Sequence, residues 1–259
     1  MTPFAALHHA DTPLLLPNAW DHASAALLAA QGFEAIGTTS LGVAAPAGLP
    51  DGAAATRDLT LSLTRRLGAG SYLLSVDAED GFAQDPDEVA ELARALADAG
   101  AVGINLEDGL GSATLHAAKI AAVKAAVPDL FVNARTDTHW LGDGDERETL
   151  QRLDAYQQAG ADGVFVPGLT DPAGIATLLK TLAVPLNILY SPSGPTVAHL
   201  GDLGVRRVSL GSLLYRRALG AVLEAVADIR GGRSPQGAVP SYDEVQALIP
   251  VRTPPGPAE

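Results

Sequence analysis

Cysteine is absent from this 259-residue chain, which excludes disulfides, thiolate metal sites and thiol catalysis and removes redox chemistry as a guide to compartment. Basic residues are scarce. Lys and Arg total 17 against 30 Asp and Glu, for a net charge of −13, so the chain lacks the basic stripe that a phosphate backbone or an anionic membrane surface requires. No nucleic-acid or membrane partner is expected. No stretch approaches about 18 uninterrupted apolar residues, and the first residues, Met1 to His9, carry no basic segment followed by a long apolar one. A cytoplasmic protein is the expectation. The aromatic content is low, 5%, and no apolar heptad persists for three or four repeats.

What is present is a repeated grammar, in which Ala-rich helical stretches end at Gly and short apolar runs follow, at Gly32 to Ile36, Gly100 to Ile104, Gly160 to Val164 and Gly204 to Val208. Gly suits the left-handed conformation just past a helix. Further strand-like runs lie at Leu14–Leu16, Tyr72–Val76, Leu130–Val132 and Val184–Ile188. Eight strand–helix units in about 230 residues predict a parallel sheet closed into a (β/α)8 TIM-type barrel. The barrel is expected to span residues 1–230 as one catalytic domain. Residues 231–259 form a C-terminal extension, with a short helix around Tyr242 to Leu248 and a mobile Pro-rich tail from Pro250 to Glu259.

Acids close three consecutive predicted strands, at Asp77-Ala-Glu79-Asp80, Glu107-Asp108 and Asn133-Ala-Arg135-Thr-Asp137. Carboxylates gathered at the ends of buried strands repel one another unless a cation lies between them. A hard divalent ion suits them: Mg²⁺, or Mn²⁺ in its place, takes one or two carboxylates directly and keeps waters that other acids hold. Arg135 among these acids is a fixed cation able to grip a substrate carboxylate in a bidentate pair. The small-residue loop from Thr38 to Asp51 can bring backbone N–H groups and the Ser40 hydroxyl to an anion, or can be a plain connection with no ligand. Asn187 ends the predicted seventh strand, and Asp108, Asp80 and Asp137 can equally be cap or loop residues.

Together Gly48-Leu-Pro-Asp51, Val76-Asp-Ala-Glu-Asp-Gly81-Phe82, Leu106-Glu-Asp108 and Ala134-Arg-Thr-Asp137 resemble the isocitrate lyase and phosphoenolpyruvate mutase superfamily, over about Pro17 to Arg230. The resemblance implies that Asp77 ligates Mg²⁺ directly while Glu79, in place of the more usual Asp, and Glu107 hold its waters. It implies substrate contacts from Ser40, Leu41, Gly42, Asp77, Arg135 and Asn187, with Trp20 shaping the pocket, and catalytic roles for Asp51, Arg135 and Glu107. It further implies a homo-oligomer, a tetramer or a dimer, in which the helix from about Ser212 to Arg230 is swapped onto a neighbouring barrel.

One motif breaks the pattern. The family's gating loop after the Glu-Asp pair is replaced by Gly109-Leu-Gly-Ser-Ala-Thr-Leu-His116, which has no Cys and is too short for the usual lid. The family's thiol route to isocitrate or methylisocitrate cleavage is therefore closed, and the Lys-Thr-Asn-rich loop of the mutases is missing too. His116 is either a replacement acid or an ordinary helix residue; His139, Trp140, Tyr190 and Ser191 are placed to border the site, whereas His8 and His9 lie before the barrel. Three functions remain open. The first is Mg²⁺-dependent making or breaking of a C–C bond in a small 2-oxo or 2-hydroxy carboxylate, through a metal-stabilised enolate or oxyanion. The second is phosphonomutase or phosphonopyruvate-type hydrolase chemistry at a P–C bond, and the third is 2-oxo-acid binding with vestigial catalysis.

Overall fold

A computed structural model describes residues 1–248. All eight predicted apolar runs are strands, but nine segments appear, because Pro17 has no N–H to give the ladder and splits the first strand into β1 (Leu14–Leu16) and β2 (Asn18–Ala19). The others are β3 (Ala35–Thr38), β4 (Leu73–Asp77), β5 (Ala101–Glu107), β6 (Phe131–Arg135), β7 (Gly163–Val166), β8 (Leu186–Leu189) and β9 (Arg207–Ser209). All pairings are parallel, and the order runs β1-β9-β8-β7-β6-β5-β4-β3-β2. Since β1 and β2 are halves of one strand, the sheet closes on itself as a (β/α)8 barrel.

Strand parity divides the barrel wall chemically. Ile104, Leu106, Val132, Ala134, Val164, Val166, Ile188 and Val208 face outward and pack against the surrounding helices, among them α4 (Arg57–Leu67), α5 (Pro86–Asp98), α6 (Ala113–Ala126), α7 (Glu146–Gln158), α8 (Pro172–Leu179) and α9 (Val197–Leu203), while the short α3 (Ser40–Ala44) follows β3. The residues between them, Asn105, Asn133, Asn187, Arg207 and Ser209, are buried yet polar. The barrel interior is thus unusually hydrophilic towards its carboxyl end, where apolar layers would give no handle on a charged ligand.

The amino end is closed by residues that precede the first strand. Helix α1 (Pro3–Leu7) is capped by the Thr2 hydroxyl, and its Phe4 is fully buried in a cluster with Leu16, Ala35 and Phe131. Gly103 makes room for it: a Cβ there would stand 2.6 Å from the Phe4 ring. His8 follows into the same plug, stacked on Phe131 at 4.2 Å and bonded through Nδ1 to the Phe4 carbonyl.

After β9, α10 (Leu213–Arg230) buries none of its residues. The expected short helix beyond it is present as α11 (Tyr242–Ala247), with a capping box at Ser241 and Glu244. The Leu248 carbonyl reaches back to His22 Nε2 at 3.0 Å, on α2 (His22–Ala30). The Pro250–Glu259 tail lies outside the described residues.

Candidate active site

The eight strands of the barrel, or the segments that directly follow them, send residues to one cavity of about 90 Å³ at its carboxyl end, lined among others by Asn18, Ser40, Leu41, Asp51, Asp77, Asn105, Arg135, Trp140, Phe165, Leu189 and Ser209. At about 10–15 Å³ per enclosed water on this scale, it suits a ligand of few carbon atoms. Arg135 is the one cation in the lining, and Leu41, Trp140, Phe165, Pro167 and Leu189 give it apolar sides.

The acids converge through strand register. Asp77 pairs across the ladder with Asn105, and Glu107 with Arg135. Arg135 Nη1 lies 2.6 Å from Glu107 Oε2, and its Nε donates to Asp137 Oδ1 at 2.7 Å. The guanidinium also lies 5.8 Å from the Phe165 ring centroid. Asp77 Oδ2 accepts from the Ser40 N–H at 3.1 Å, and the Asp77 N–H donates to Thr38 Oγ1. Glu79, fully buried with a positive φ of 46°, accepts from Thr56 Oγ1 at 2.5 Å and the Ala54 N–H at 3.1 Å. The loop that carries Asp51 is thereby tied to β4.

Burial raises the pKa of Asp77, Glu79, Glu107 and Asp137. For Glu107 the value reaches about 8: burial is the largest cause, Arg135 opposes it, and Asp77, Asp137 and Glu79 add to it. Arg135 is itself held more firmly protonated, because Glu107, Asp137 and Asp77 outweigh its burial. One guanidinium thus faces more carboxylate charge than it can neutralise, and a divalent cation would supply the deficit. No three His, Cys, Asp or Glu side chains among the described residues stand close enough to chelate an ion together. The nearby donors, the carboxylates of Asp77, Glu79 and Glu107, are hard oxygen ligands, a chemistry that suits Mg²⁺.

Other expected positions fall elsewhere. Asn187 is buried beneath the cavity and donates to Ser209 Oγ at 3.0 Å instead of bordering the pocket. Trp20 and Gly42 pack side by side away from it, with Trp20 edge-on to Tyr215. Glu79 and Glu107 adjoin the cavity acids without lining it. Trp140 does line the cavity, but His139 turns towards Gly144, and β8 contributes Leu189 in place of Tyr190 or Ser191.

His116 is not a replacement acid. It is buried on α6 with its ring 4.6 Å from Tyr156, and burial lowers its pKa to about 4. Asp108 is neither a cap nor solvated: it accepts from the N–H groups of Leu110 and Asp137, from Arg152 and from the Tyr156 hydroxyl, pinning the loops after β5 and β6 together. Those bonds outweigh its burial and lower its pKa. The β5–α6 connection is short, since Ser112 already caps α6.

Asn105, Ser209 and Arg207 are the polar residues that sequence reading missed. Each shares the inward parity of its strand, and a polar residue inside an otherwise apolar run was the available signal. Among the described residues, buried Arg207 has no carboxylate in contact and its Nη1 has no partner; burial lowers its pKa to about 9, against the pull of Asp77.

Comparison with known proteins agrees with the barrel fold. The family model described as phosphoenolpyruvate phosphomutase matches residues 4–230. An uncharacterized protein of Mycobacterium tuberculosis is 45% identical over 251 residues, covering 95% of each chain. The 2-methylisocitrate lyase of Escherichia coli K12 is 32% identical over 212 residues, covering 75% of this chain and 71% of its own. Among solved structures, a phosphonopyruvate hydrolase in complex with oxalate and Mg²⁺ superposes with a TM-score of 0.83 at 26% identity, over 95% of this chain and 93% of that one. The chain therefore belongs to the phosphoenolpyruvate phosphomutase family.

Proposed function

We propose that the protein is a Mg²⁺-dependent oxo-acid lyase that makes or breaks a C–C bond next to the carboxylate of a small 2-oxo or 2-hydroxy acid. The observation that carries this reading is the set of acids converging on Arg135 in a small cavity at the carboxyl end of the barrel. Arg135 grips the substrate carboxylate, with Ser40 and the backbone at Leu41 beside it, while Glu107 and Asp137 hold the guanidinium in place. Bound at Asp77, Mg²⁺ would supply the positive charge that stabilises an oxyanion adjacent to that carboxylate. Asp51, at the mouth, or a water acts as the base. The family places a 2-methylisocitrate lyase among the relatives, which supports C–C chemistry, and the oxalate and Mg²⁺ of the phosphonopyruvate hydrolase support the ligand class. Chemistry at a P–C bond is the second reading, favoured by the phosphomutase family model itself. Five apolar side chains exposed along α10 support assembly into dimers or tetramers.

Asp77→Ala tests the assignment by calorimetry with Mg²⁺ and by turnover. Mg²⁺ affinity is expected to fall at least tenfold with activity abolished; retention of both would overturn it.

A further inference from the structure

The buried arginine beneath the cavity has an assignable task. Arg207 Nη2 donates to Asn105 Oδ1 at 3.2 Å, and Asn133 Nδ2 donates to the same oxygen at 2.9 Å. A guanidinium has only donors, so the amide oxygen of Asn105 has to face it, and the amide NH₂ has to face the other way. Ser209 is constrained likewise. Its Oγ accepts from Arg207 Nε at 3.0 Å and from Asn187 Nδ2 at 3.0 Å. Both lone pairs of the hydroxyl are taken, which leaves it only its proton to offer. Asn105 and Ser209 both line the cavity, and neither donates to another protein group among the described residues. Asn18, the other amide in the lining, has no such freedom, because it donates to the Thr38 carbonyl and accepts from the Gly211 N–H.

The cavity is therefore two-sided. Asp77 and Asp51 present acceptors, whereas Asn105 and Ser209 present donors. We propose that Asn105 and Ser209 are substrate-binding residues, a donor pair on the cavity floor for an anionic oxygen of the bound acid, and that Arg207 is the positioning residue that aims them. The inference rests on the oxo-acid reading above and adds to it where the second oxygen of the ligand sits. It also explains why a cation is buried here with no carboxylate against it: Arg207 polarises donors turned towards an anion instead of pairing with one.

The test is a calorimetric titration of oxalate in the presence of Mg²⁺, with melting curves to establish folding of each variant. Ser209→Ala and Asn105→Asp are each expected to weaken oxalate roughly ten- to a hundredfold, the usual weight of a hydrogen bond to a charged group. Asn105→Asp preserves the acceptor that Arg207 and Asn133 need, so it tests the floor even if Arg207→Gln does not fold. Arg207→Gln should weaken binding by a similar factor alone, but by less than about twofold when added to the Ser209→Ala/Asn105→Asp pair, because its effect passes through them. Losses that simply multiply would make Arg207 a structural residue and overturn its part. Weakening in Asn105→Asp with wild-type binding in Ser209→Ala would be a charge effect and would overturn the donor pair. Oxalate binding that needs Arg135 but ignores both floor variants would defeat this inference and leave the oxo-acid reading standing; no dependence on Arg135 would defeat that reading instead.

Discussion

Single residues in this protein carry charge where burial makes charge expensive, and that leaves a signature in pH. His8 is fully enclosed, and burial, with Arg207 adding to it, lowers its pKa from 6.5 to about 3. The unfolded chain takes up a proton near pH 6.5 that the folded chain refuses, so stability is lost as pH falls from 6.5 towards 3. At pH 5 this amounts to about 2 kcal/mol. Glu107 acts in the opposite sense, since its raised pKa gives a contribution to stability that is complete below pH 4.5 and is lost as pH rises from 4.5 towards 8. His8→Phe, which retains an aromatic ring against Phe131, should therefore flatten the pH dependence below 6.5, read as the difference between variant and wild-type melting curves; parallel curves would contradict a neutral buried imidazole. The residues legible in the sequence were those whose chemistry is unmistakable, acids and one Arg at strand ends. Asn105 and Ser209 were not, because an amide or hydroxyl matters only once its partners are known.

Elements were more legible than their ends. Every apolar run became a strand because a parallel barrel wall buries its outward face under helices, which selects Ile, Leu and Val. Pro17 divided one strand without opening the barrel, and the five-residue α1 has no periodicity long enough to read, so the plug formed by Phe4 and His8 was invisible. Helix α10 was legible in extent but not in partner. Leu219, Val222, Leu223 and Val226 recur at helical spacing on one face, with Ile229 a turn on, and all five are exposed. Burying each would be worth about 1.5–3 kcal/mol. Sedimentation should accordingly give a mass that is a multiple of 26.5 kDa, and Val222→Glu with Leu223→Glu should reduce it. A wild-type monomer at tens of micromolar would contradict the swapped helix.

At the scale of the whole molecule, the barrel gathers onto one cavity residues that are as far apart in sequence as Asn18 and Ser209. Fold class and the location of the site followed from the alternation of strand and helix. The shape of the cavity did not, because it depends on loop paths and on which inward side chains meet across the barrel. With the β5–α6 connection cut short at Ser112, Trp140 and the loop carrying Asp51 form the rim instead of a long lid, and water reaches the site more easily than it would beneath one. The most direct measurement of what the site does is an NMR time course, with Mg²⁺, of oxaloacetate, 2-hydroxy tricarboxylates, 2-oxoglutarate with aldol partners, and phosphonopyruvate, run on wild type and Arg135→Ala. C–C cleavage or formation is expected on at least one acid, lost at least a hundredfold in Arg135→Ala because a buried bidentate grip on the substrate is removed. Phosphorus release or migration with every C–C bond intact, or turnover indifferent to Arg135, would contradict that expectation.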